Sequence, residues 1–477
     1  MPRITVIGAG YVGLVSATCF AELGHQVSCV ELDEEKVRLL RGGAVPILEP
    51  RLQDLWSRHT QRGVLEITAD YAAGLVGTEF VFICVGTPSL PDGRANVRYI
   101  VEAARSLATH VDGRPIIVIK STVPVGTADL VSNAVNAGRR EGQRMAVVSN
   151  PEFLREGQAV HDFLEPDRVV IGAEQEAAAR SVAALYGAAE APLFITDNAT
   201  AEMIKYASNA FLATKVSFIN EFAALCEPLG VDVEQVAKGL GMDKRIGPAF
   251  LSAGLGWGGS CLPKDTRALL SMAKRMNTPA PLLSAVVRIN ARQPRNLVHE
   301  LSSLLGTLEG KQIAVWGLTF KPETDDLRES PAIALIQLLL ERGCRVRAYD
   351  PAVTLAETGP HDGIEYCSDP YEATRGADAL VLATAWQEFL SLNMSRVREE
   401  MGGRIVLDAR NALDADNLRR LGFVYRGIGR NGAHAGAEDP SEGKEPAELG
   451  SLPAHAWPAG GIVARSVPVG VERSLLT

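Results

Sequence analysis

Cys261 lies in the segment of the chain best suited to nucleophilic chemistry. It follows the glycine-rich run Gly-Trp-Gly-Gly-Ser and precedes Leu-Pro-Lys-Asp, so a loop is expected to lead into a helix near the thiol. Backbone N–H groups and a helix N-terminus lower the pKa of a thiol and can hold an oxyanion beside it. If the helix begins near Cys261, Asp265 lies four residues on and shares its face. A structural cysteine in a tight turn fits this segment equally well.

The other six cysteines stand in apolar segments or in an ordinary loop, where a buried and inert thiol is expected. They are Cys19, Cys29, Cys84, Cys226, Cys344 and Cys367. No two cysteines form a CxxC pair. In a chain of this length the pattern favours thiols in a reducing cytoplasm over a disulfide framework or a metal site.

Lys205 and Asn209 are a second pair of reactive groups at helical spacing. They stand four residues apart in a long stretch with helical periodicity, so they share one helix face. Residues 207–211 are mostly small or apolar, which indicates that this face is covered. By themselves the two residues fit a solvated polar pair better than a site.

Two carboxylates follow the strand expected at residues 145–148. Glu152 and Glu156 belong to Asn-Pro-Glu-Phe-Leu-Arg-Glu-Gly at residues 150–157. Carboxylates at a strand end can serve acid–base chemistry. Acids in a first helical turn also simply complement the helix dipole. The motif alone leaves both interpretations open.

Gly8, Gly10 and Gly13 form the pattern GxGxxG between an apolar strand and a helical run. In a dinucleotide-binding domain the first glycine makes the turn, the second lets the backbone approach the pyrophosphate, and the third lets helix and strand pack closely. Glu31 ends the next strand, where a carboxylate binds the ribose hydroxyls and repels a 2′-phosphate. The pattern predicts NAD in preference to NADP, and a purely structural glycine turn is the alternative.

The segments Val-Gly-Thr-Pro at residues 85–88 and Ser-Thr-Val-Pro at residues 121–124 each follow a buried apolar strand. Both are therefore expected at the carboxyl edge of a parallel sheet, where ligands bind. Each segment alone would be an ordinary loop. Together at one edge they predict contact with a cofactor or a substrate.

The elements that must position these residues repeat a βαβ order, which predicts an α/β protein with two Rossmann-like, doubly wound domains. The first set of strands is expected at residues 4–8, 26–31, 80–85, 116–119 and 145–148. The second set is expected at residues 311–317, 345–350, 379–383 and 404–407.

A long helix over residues 201–229 lies between the two halves and is suited to bury an apolar stripe against a second subunit. We expect an N-terminal NAD-binding domain at residues 1–200, a central helical dimerisation domain at 201–300 and a C-terminal Rossmann-like domain at 301–430. Residues 431–477 are rich in Gly, Pro, Ala and Glu with weak periodicity, and we expect a flexible tail there.

The composition excludes several classes of partner. The chain is 46% hydrophobic and 22% charged, with a net charge of −9, so it has no broad attraction for nucleic acid or anionic lipid. No apolar stretch is long enough to span a bilayer. The first eight residues resemble a strand entering a glycine turn more than a signal peptide. An anionic ligand must be held by helix N-termini and individual basic side chains.

In their order, these segments resemble the UDP-glucose/GDP-mannose dehydrogenase family. The resemblance runs from Ile4 to about Gly429, nearly all of the chain except the tail. Its most specific parts are GAGYVGL, STVPVGT, NPEFLREG, EMIKYASNAFLATKVSFINE, GWGGSCLPKD and GLTFKPETDDLRESP. The resemblance implies a homodimer of three-domain subunits, with a C-terminal domain that binds a nucleotide sugar.

The resemblance also implies a four-electron oxidation of UDP-glucose to UDP-glucuronate. A first hydride leaves C6 of the sugar to give an aldehyde, and the thiolate of Cys261 adds to it as a thiohemiacetal. A second NAD takes another hydride to leave a thioester, which water hydrolyses to the acid.

Carried over by motif position, the resemblance implies three groups of site residues. The catalytic residues are Cys261, Lys205 and Asn209 as oxyanion stabilisers, and Asp265, Thr122 and Glu152, which position or activate water. The cofactor-binding residues are Gly8, Gly10, Tyr11, Val12, Gly13, Glu31, Lys36, Gly86, Thr87, Ser121, Thr122, Glu156 and Arg328. The substrate-binding residues are Glu152, Phe153, Leu154, Arg155, Lys205, Asn209, Arg245, Phe250, Leu251, Gly258, Lys321 and Arg410. Asp265, through a water, is our hypothesis for the base that takes the first alcohol proton.

The choice of sugar is the least specific part of the resemblance. Residues 241–247 and 250–251 are similar to the UDP-glucose branch. Leu262 stands where that branch more often has Phe, and it also occurs in the GDP-mannose branch. Leu48 and Arg51 depart from the usual Tyr and Gly. UDP-glucose is favoured, and the same chemistry on GDP-mannose or a UDP-N-acetylhexosamine is the alternative.

Two other classes of protein share part of the pattern. A two-electron hydroxyacid or sugar-acid dehydrogenase has the glycine fingerprint but needs neither Cys261 nor a second nucleotide-binding half. A non-catalytic NAD-binding protein keeps the glycines but has no need of Cys261, Lys205 or Asp265. All three of these residues are present.

Overall fold

The structure is a computed structural model that describes residues 1–187, 191–353 and 363–430. The flexible tail predicted at residues 431–477 lies outside the described residues. The described chain forms two compact units, each assembled from several segments. Unit 1 contains Met1–Thr214, Cys261–Ala285 and Glu323–Asp325; unit 2 contains Lys215–Ser260, Val286–Pro322 and the described residues from Asp326 onward. The three-domain boundaries expected from the sequence remain predictions.

Unit 1 is built on an eight-stranded sheet. Its strands in chain order are β1 (Arg3–Ile7), β2 (Gln26–Val30), β3 (Leu65–Thr68), β4 (Phe80–Ile83), β5 (Ile116–Ile119), β6 (Val147–Ser149), β7 (Val169–Ala173) and β8 (Leu193–Thr196). Across the sheet the order is β3-β2-β1-β4-β5-β6-β7-β8, and every neighbouring pair is parallel except β6 with β7. The first six strands therefore have the order of a dinucleotide-binding Rossmann fold.

Unit 2 repeats this arrangement with six strands. They are β9 (Gln312–Trp316), β10 (Arg345–Tyr349), β11 (Ile364–Tyr366), β12 (Ala379–Leu382), β13 (Ile405–Asp408) and β14 (Val424–Gly427). Their order is β11-β10-β9-β12-β13-β14, and all pairs are parallel. The predicted fold class, α/β with two Rossmann-like doubly wound sheets and a long central helix, is confirmed.

Helices cover the sheets and connect their strands. In chain order the first nine are α1 (Tyr11–Glu22), α2 (Glu34–Arg41), α3 (Leu52–Gln61), α4 (Tyr71–Gly74), α5 (Arg98–His110), α6 (Thr127–Val135), α7 (Ala159–Leu164), α8 (Glu176–Ala183) and α9 (Asn198–Leu229). The later ones are α10 (Val233–Gly241), α11 (Leu262–Arg275), α12 (Pro281–Leu305), α13 (Pro331–Glu341), α14 (Pro370–Thr374), α15 (Gln387–Leu390), α16 (Met394–Glu400) and α17 (Ala415–Arg420). Short 3-10 turns occupy Glu141–Gln143 and Ala184–Tyr186.

Both faces of the sheet of unit 1 are covered, because alternate side chains of a strand point to opposite faces. Ile4 and Val6 of β1 pack into one core with Phe20 of α1, while Ile7 packs into another core with Leu107 of α5. Each of these side chains is almost completely buried, and burying one contributes about 2 kcal/mol. This packing makes the carboxyl edge of the sheet a rigid platform for the loops that follow β1, β4, β5 and β6.

The long helix expected over residues 201–229 is α9, which begins three residues earlier. It ends at Leu229, because Pro228 removes a backbone donor and Gly230 adopts a left-handed conformation with φ +67°. Lys205 and Asn209 lie in the part of α9 that belongs to unit 1.

The sequence pattern predicts none of the four edge strands, β3, β8, β11 and β14, nor the antiparallel strand β7. Edge strands pair on one side only and are short, so they carry weaker apolar runs than central strands. In β8 the first two residues are exposed and the other two are half-buried, and β11 has no fully buried residue. The central strands, whose residues are buried on both faces, were predicted to within about two residues.

Candidate active site

The glycine turn after β1 has the geometry of a dinucleotide-binding loop. Gly8 has φ +95°, a conformation that favours glycine, and a Cβ on Gly13 would lie 1.8 Å from the Gly8 carbonyl oxygen. A Cβ on Gly10 would meet no atom within 4 Å, so the backbone there faces open space. Gly10 also caps α1, whose first turn carries no acidic side chain. The three positions fit the turn, the close helix packing and the approach of a pyrophosphate to a helix N-terminus.

Glu31 stands beside this turn, directly after β2. Its carboxylate accepts hydrogen bonds from the Ala9 N–H at 3.0 Å and the Leu32 N–H at 2.7 Å. Lys36 Nζ lies 3.7 Å from Glu31 Oε2, so two of the residues expected at the cofactor are neighbours. The carboxylate is thus held at the glycine turn, where it fits the ribose hydroxyls of NAD.

The loops after β4 and β5 are tied to each other at the same edge of the sheet. Ser121 Oγ donates to the Val85 carbonyl at 2.7 Å, and Thr87 Oγ1 donates to the Thr122 carbonyl at 2.8 Å. Gly86 lies between Val85, which accepts the first of these bonds, and Thr87, which donates the second. The structure therefore brings together the four residues of these loops that were expected to contact the cofactor.

Cys261 is the N-cap residue of α11, which confirms that a helix begins at the thiol. Its carbonyl accepts the Asp265 N–H at 2.9 Å, the first hydrogen bond of the helix. Cys261 is partly exposed and Asp265 is fully buried. The thiol and the carboxylate therefore lie one helical turn apart at the start of α11.

The other six cysteines share one electrostatic feature. Burial raises the pKa of every one of them, to about 12 for Cys84 and to about 11 for Cys344 and Cys367. The pKa values of Cys19, Cys29 and Cys226 are raised for the same reason. These thiols stay protonated near neutral pH, which agrees with the expectation that they are chemically inert.

Lys205 forms a buried ion pair with Glu152. The Lys205 Nζ and Glu152 Oε1 atoms are 2.9 Å apart, and the two side chains are only 5% and 4% exposed. Burial works to raise the pKa of Glu152, but the charge and hydrogen bond of Lys205 outweigh it and hold that pKa below its ordinary value. Burial likewise opposes the charge on Lys205, but Glu152, Cys261 and Asp265 together raise its pKa. The pair is therefore charged at neutral pH.

Asn209 and Asp265 form a second buried contact beside this pair. Asn209 Nδ2 donates to Asp265 Oδ2 at 2.6 Å, and Lys264 Nζ lies 2.5 Å from the other carboxylate oxygen. Asn209 is buried, like Lys205. The face of α9 that carries them is covered, as the neighbouring small residues indicated. The alternative of a solvated polar pair is therefore wrong.

Glu202 is a residue of this region that the sequence analysis missed. It lines a small cavity in unit 1 together with Thr122, Pro151 and Lys205. Burial raises its pKa to about 7, against the hydrogen bonds from the Ala128 and Gly126 N–H groups that lower it. Glu202 precedes Lys205 by three residues on α9, and that helical spacing was the signal available in the sequence.

The segment that follows β6 combines a buried part and an exposed part. Glu152 accepts the Leu154 N–H at 2.6 Å, which fixes the turn. The ring of Phe153 lies 3.8 Å from the Arg168 guanidinium carbon and 5.3 Å from Lys205 Nζ. Arg155 instead is exposed and bonds to Asp162. Phe153 therefore lies beside the ion pair, whereas the Arg155 guanidinium is engaged elsewhere.

Tyr11 connects the cofactor turn to this segment. Its hydroxyl donates to the Glu49 carboxylate, and the Gly157 N–H donates to the Tyr11 oxygen at 3.0 Å and to Glu49 at 2.7 Å. Burial raises the pKa of Tyr11, with Glu49 adding to the effect. Glu49 is buried and was not among the predicted residues. Arg51 has φ +69°, a conformation that favours glycine.

Glu156 is reached by Thr324 Oγ1 at 3.4 Å within unit 1. Val12 is half-buried in the first turn of α1, directly after Tyr11. Both positions are compatible with the cofactor-side role that the motif match implied.

The remaining predicted residues belong to unit 2, where three of them converge. Arg410 donates to the Gly256 carbonyl at 3.2 Å and to the Phe320 carbonyl at 3.4 Å, beside the glycine loop and Lys321. Burial lowers the pKa of Arg410 to about 10, so it remains a cation at neutral pH. A Cβ on Gly258 would lie 2.3 Å from the Glu329 carbonyl oxygen, so only glycine fits in this loop.

Four further residues of unit 2 have other surroundings. Phe250 has φ +63° although it is not glycine, which places backbone strain next to Leu251, a buried residue. Arg245 and Arg328 pair with Asp243 and Asp326, with N to O distances of 2.6 Å and 2.7 Å. Arg245 is exposed, and its contacts lie outside the convergent group around Arg410.

In residues 1–187, 191–353 and 363–430, no helix has the length and apolar character needed to cross a membrane. The same residues contain no group of three or more His, Cys, Asp or Glu side chains that could hold a metal ion.

Three domain models of the UDP-glucose/GDP-mannose dehydrogenase family match this chain in order. The NAD binding domain matches residues 2–190, the central domain residues 199–292, and the UDP binding domain residues 314–415.

Characterised proteins and solved structures are similar over nearly the same length. The UDP-glucose 6-dehydrogenase of Rhizobium meliloti is 46% identical over 436 residues, which are 90% of this chain and 99% of that protein. The UDP-glucose 6-dehydrogenase of Pseudomonas aeruginosa is 45% identical over 445 residues, 90% of this chain and 97% of that protein. A UDP-glucose dehydrogenase structure from Pyrobaculum islandicum has a TM-score of 0.83 and 40% identity, covering 90% of this chain and 98% of its own.

Proposed function

This chain belongs to the UDP-glucose/GDP-mannose dehydrogenase family, and on that premise we propose that it is an NAD-dependent UDP-glucose 6-dehydrogenase. The observation that carries the proposal is the grouping of catalytic side chains in unit 1. The buried Lys205–Glu152 pair, the Asn209–Asp265 contact and the Cys261 thiol belong to the same unit as the dinucleotide turn. A two-electron dehydrogenase or a non-catalytic NAD-binding protein has no use for this set.

The reaction converts the primary alcohol at C6 of the glucose to a carboxylate. NAD, when bound, would supply the hydride acceptor for each of the two oxidations, so two NADH would form per sugar. The Gly8–Gly13 turn, with Glu31 and Lys36, would hold this cofactor. Asp265, through a water, takes the alcohol proton as the first hydride leaves, which gives the aldehyde.

The Cys261 thiolate then adds to the aldehyde carbon, and the carbonyl electrons move to oxygen as an alkoxide. Lys205, kept cationic by Glu152, and the amide of Asn209 stabilise that negative charge. Loss of the second hydride leaves a thioester on Cys261. Water, positioned by Thr122 and Glu152, attacks the thioester carbon and expels the thiolate, so the acid forms and Cys261 is regenerated.

The family resemblance implies two groups of residues that bind the nucleotide sugar. Those of unit 1 are Glu152, Phe153, Leu154, Arg155, Lys205 and Asn209. Those of unit 2 are Arg245, Phe250, Leu251, Gly258, Lys321 and Arg410. Arg410 is the strongest member of this group on structural grounds, because it is a half-buried cation whose guanidinium, within the described residues, donates to the backbone carbonyls of Ala383, Gly256 and Phe320 and to no carboxylate. Such a cation suits a pyrophosphate.

The experiment that tests the function is the number of NADH molecules formed per UDP-glucose consumed by the purified protein. We expect two NADH and an acid product, with much slower turnover of GDP-mannose and UDP-N-acetyl sugars. Two NADH per molecule of another nucleotide sugar would keep the mechanism and replace the substrate. One NADH with an accumulating aldehyde would contradict the role of Cys261.

The role of Asp265 is tested separately by Asp265→Asn. This variant keeps a side chain of the same shape beside Asn209 but cannot take a proton. We expect both oxidations to be lost, measured as NADH formed from UDP-glucose and from the corresponding aldehyde. Full retention of aldehyde formation would assign the first proton to another group.

We also propose that the protein is a cytoplasmic homodimer that uses α9 as its contact. Phe211, Phe218 and Leu225 stand seven residues apart on this helix and are 65%, 40% and 54% exposed, so they form one apolar stripe. A reducing compartment suits a catalytic thiol. Light scattering should give a dimer mass for the wild type and a monomer mass for Phe218→Asp/Leu225→Asp. A monomeric wild type would overturn the dimer.

A further inference from the structure

Glu202 occupies a junction between three segments of unit 1. It lies on α9 three residues before Lys205, so the two side chains share a face and line one small cavity with Thr122. Glu202 is only 3% exposed. The proposed mechanism uses Lys205 and Thr122 and leaves Glu202 without a role.

The carboxylate of Glu202 binds the start of α6 with both oxygens. Oε2 accepts the Gly126 N–H at 2.7 Å, and Oε1 accepts the Ala128 N–H at 2.8 Å. Gly126 is the N-cap residue of α6 and supplies no side-chain cap, so Glu202 supplies the cap from another helix. The segment that ends at Gly126 begins with Thr122. The carboxylate therefore anchors the far end of the Thr122 loop to α9.

The same carboxylate also reaches the end of β6. Ser149 Oγ lies 3.5 Å from Glu202 Oε1, and Ser149 precedes Glu152 by three residues. One side chain thus joins α9, which carries Lys205, to the two loops that carry Thr122 and Glu152.

This arrangement places a buried carboxylate where no basic side chain neutralises it. Among the described residues no Lys or Arg forms an ion pair with Glu202, and Asp129 of α6 adds a repulsive charge. Two other titratable groups of α9, Lys205 and Tyr206, also lie near this carboxylate. A neutral residue would be less costly to bury. Costly polar groups are typically kept where function requires them.

We propose that Glu202 is a positioning residue that sets the Thr122 loop against Lys205 and Glu152 during the oxidation. The proposal rests on the proposed dehydrogenase function, because the three segments matter only if their side chains act together. Glu202 touches neither substrate nor cofactor in this proposal, and it acts through the loop that it anchors.

The near end of the Thr122 loop is held independently of Glu202. Ser121 Oγ bonds to the Val85 carbonyl and Thr87 Oγ1 bonds to the Thr122 carbonyl, both at the cofactor edge of the sheet. Loss of the Glu202 anchor should therefore leave cofactor binding intact. It should displace the residues from Thr122 to Gly126 that face Lys205.

The test is Glu202→Gln, measured at a mildly alkaline pH where Glu202 is ionised. The amide keeps the shape but presents an N–H₂ group to one of the two backbone N–H donors. We expect kcat to fall by about 10- to 100-fold, since small displacements of positioned groups have effects of that size. The dissociation constant for NADH should change by less than about 2-fold, and the thermal midpoint should not fall, because an unpaired buried charge has been removed.

Asn198→Ala is the matched control. Asn198 also ties α9 to β6, through the Ser149 N–H at 2.8 Å and the Val147 carbonyl at 3.2 Å, but it does not bond to α6. We expect this variant to have a lower thermal midpoint and a kcat within about 3-fold of the wild type. A general structural defect would lower kcat only in proportion to a fall in the thermal midpoint. If Glu202→Gln shows that result, the positioning role is wrong.

Hydrogen exchange at the Gly126 and Ala128 amides provides a readout that needs no substrate. Both amides should exchange faster in Glu202→Gln than in the wild type, and their exchange rates should be unchanged in Asn198→Ala. If no nucleotide sugar supports NADH formation by the wild type, the proposed function fails. The exchange data alone then decide whether Glu202 anchors the loop. If the wild type is active and Glu202→Gln has normal kcat or normal exchange, this inference is overturned and the proposed function stands.

Discussion

Replacing Lys205 by Met should destabilise the protein, because it leaves the carboxylate of Glu152 buried without its cation. The two side chains are 5% and 4% exposed and their charged atoms are 2.9 Å apart. Removing one partner of such a pair costs about 3–5 kcal/mol, since the remaining charge keeps its desolvation penalty. For a unit of roughly 200 residues or more, 1 kcal/mol corresponds to about 2–4 °C in the thermal midpoint. We therefore expect Lys205→Met to unfold roughly 10 °C below the wild type.

The pH dependence of this effect follows from the two shifted pKa values. The pKa of Glu152 is lowered in the folded protein, so its contribution to stability is present above the ordinary glutamate pKa and is lost as the pH falls. The pKa of Lys205 is raised, so its contribution is present below the ordinary lysine pKa and is lost as the pH rises through the folded value. The difference between wild type and Lys205→Met should be greatest at neutral pH and should shrink in acid, where Glu152 takes up a proton.

The double variant Lys205→Met/Glu152→Gln separates stability from catalysis. Removing both charges leaves no unpaired ion, so the free energy of unfolding should return to within about 1–2 kcal/mol of the wild-type value. Catalysis should not return, because Lys205, the proposed oxyanion stabiliser, and Glu152, proposed to position water, are both replaced. Thermal unfolding by circular dichroism and NADH formation from UDP-glucose measure the two quantities on the same preparations. The reasoning is refuted if Lys205→Met unfolds with the wild type, or if the double variant is as unstable as the single one.

Three further predictions follow from individual contacts. Cys261→Ser should form no acid product and should lower overall turnover by about three orders of magnitude or more. The serine hydroxyl is hardly ionised near neutral pH and so is a poorer nucleophile, and its alkoxide is a poorer leaving group than a thiolate. Product analysis checks this, and unchanged formation of acid would remove the covalent mechanism. Gly10→Ala and Gly13→Ala are a matched pair. A Cβ at Gly10 has open space, so this variant should keep a normal thermal midpoint but bind NADH at least about 10-fold more weakly, whereas a Cβ at Gly13 would lie 1.8 Å from the Gly8 oxygen and should lower the midpoint itself. Equal midpoints for the two variants would contradict the turn geometry. Because the pKa of Glu202 is raised to about 7, its contribution to stability is full below the ordinary glutamate pKa and is lost as the pH rises through about 7. The stability of Glu202→Gln relative to wild type should therefore increase between mildly acid and mildly alkaline pH by up to about 3 kcal/mol, measured by urea unfolding, and a difference that does not vary with pH would show that Glu202 titrates normally.

The sequence predicted the local structure around Cys261 better than the surroundings of Lys205. The start of α11 at Leu262 follows from a glycine loop and a proline in the first helical turn, and the position of Asp265 then follows from helical spacing. These are short-range relations that a sequence displays directly. Lys205 and Asn209 also showed helical spacing, but spacing alone did not reveal whether their face of α9 is solvated or covered.

Tertiary packing decided that question, because the partners of these side chains are distant in the chain. Asp265 is 56 positions from Asn209, and Glu152 approaches Lys205 from a loop at the end of another element. Glu202 was missed for the same reason. Its helical spacing from Lys205 was visible, but its two backbone partners lie more than 70 positions away. The interpretation of Glu152 as a dipole-complementing acid was excluded only by its buried ion pair.

By itself, the sequence determined the two doubly wound domains, the long helix α9 and the glycine turn, because these depend on periodicities of two or about four residues and on the special conformations of glycine. The edge strands were left out, since one-sided pairing weakens the apolar pattern that marks a strand. Only the tertiary structure decided which charges are buried against each other and what their pKa values become. Burial and Coulomb energies depend on distances between segments that are remote in sequence, and no local pattern records those distances.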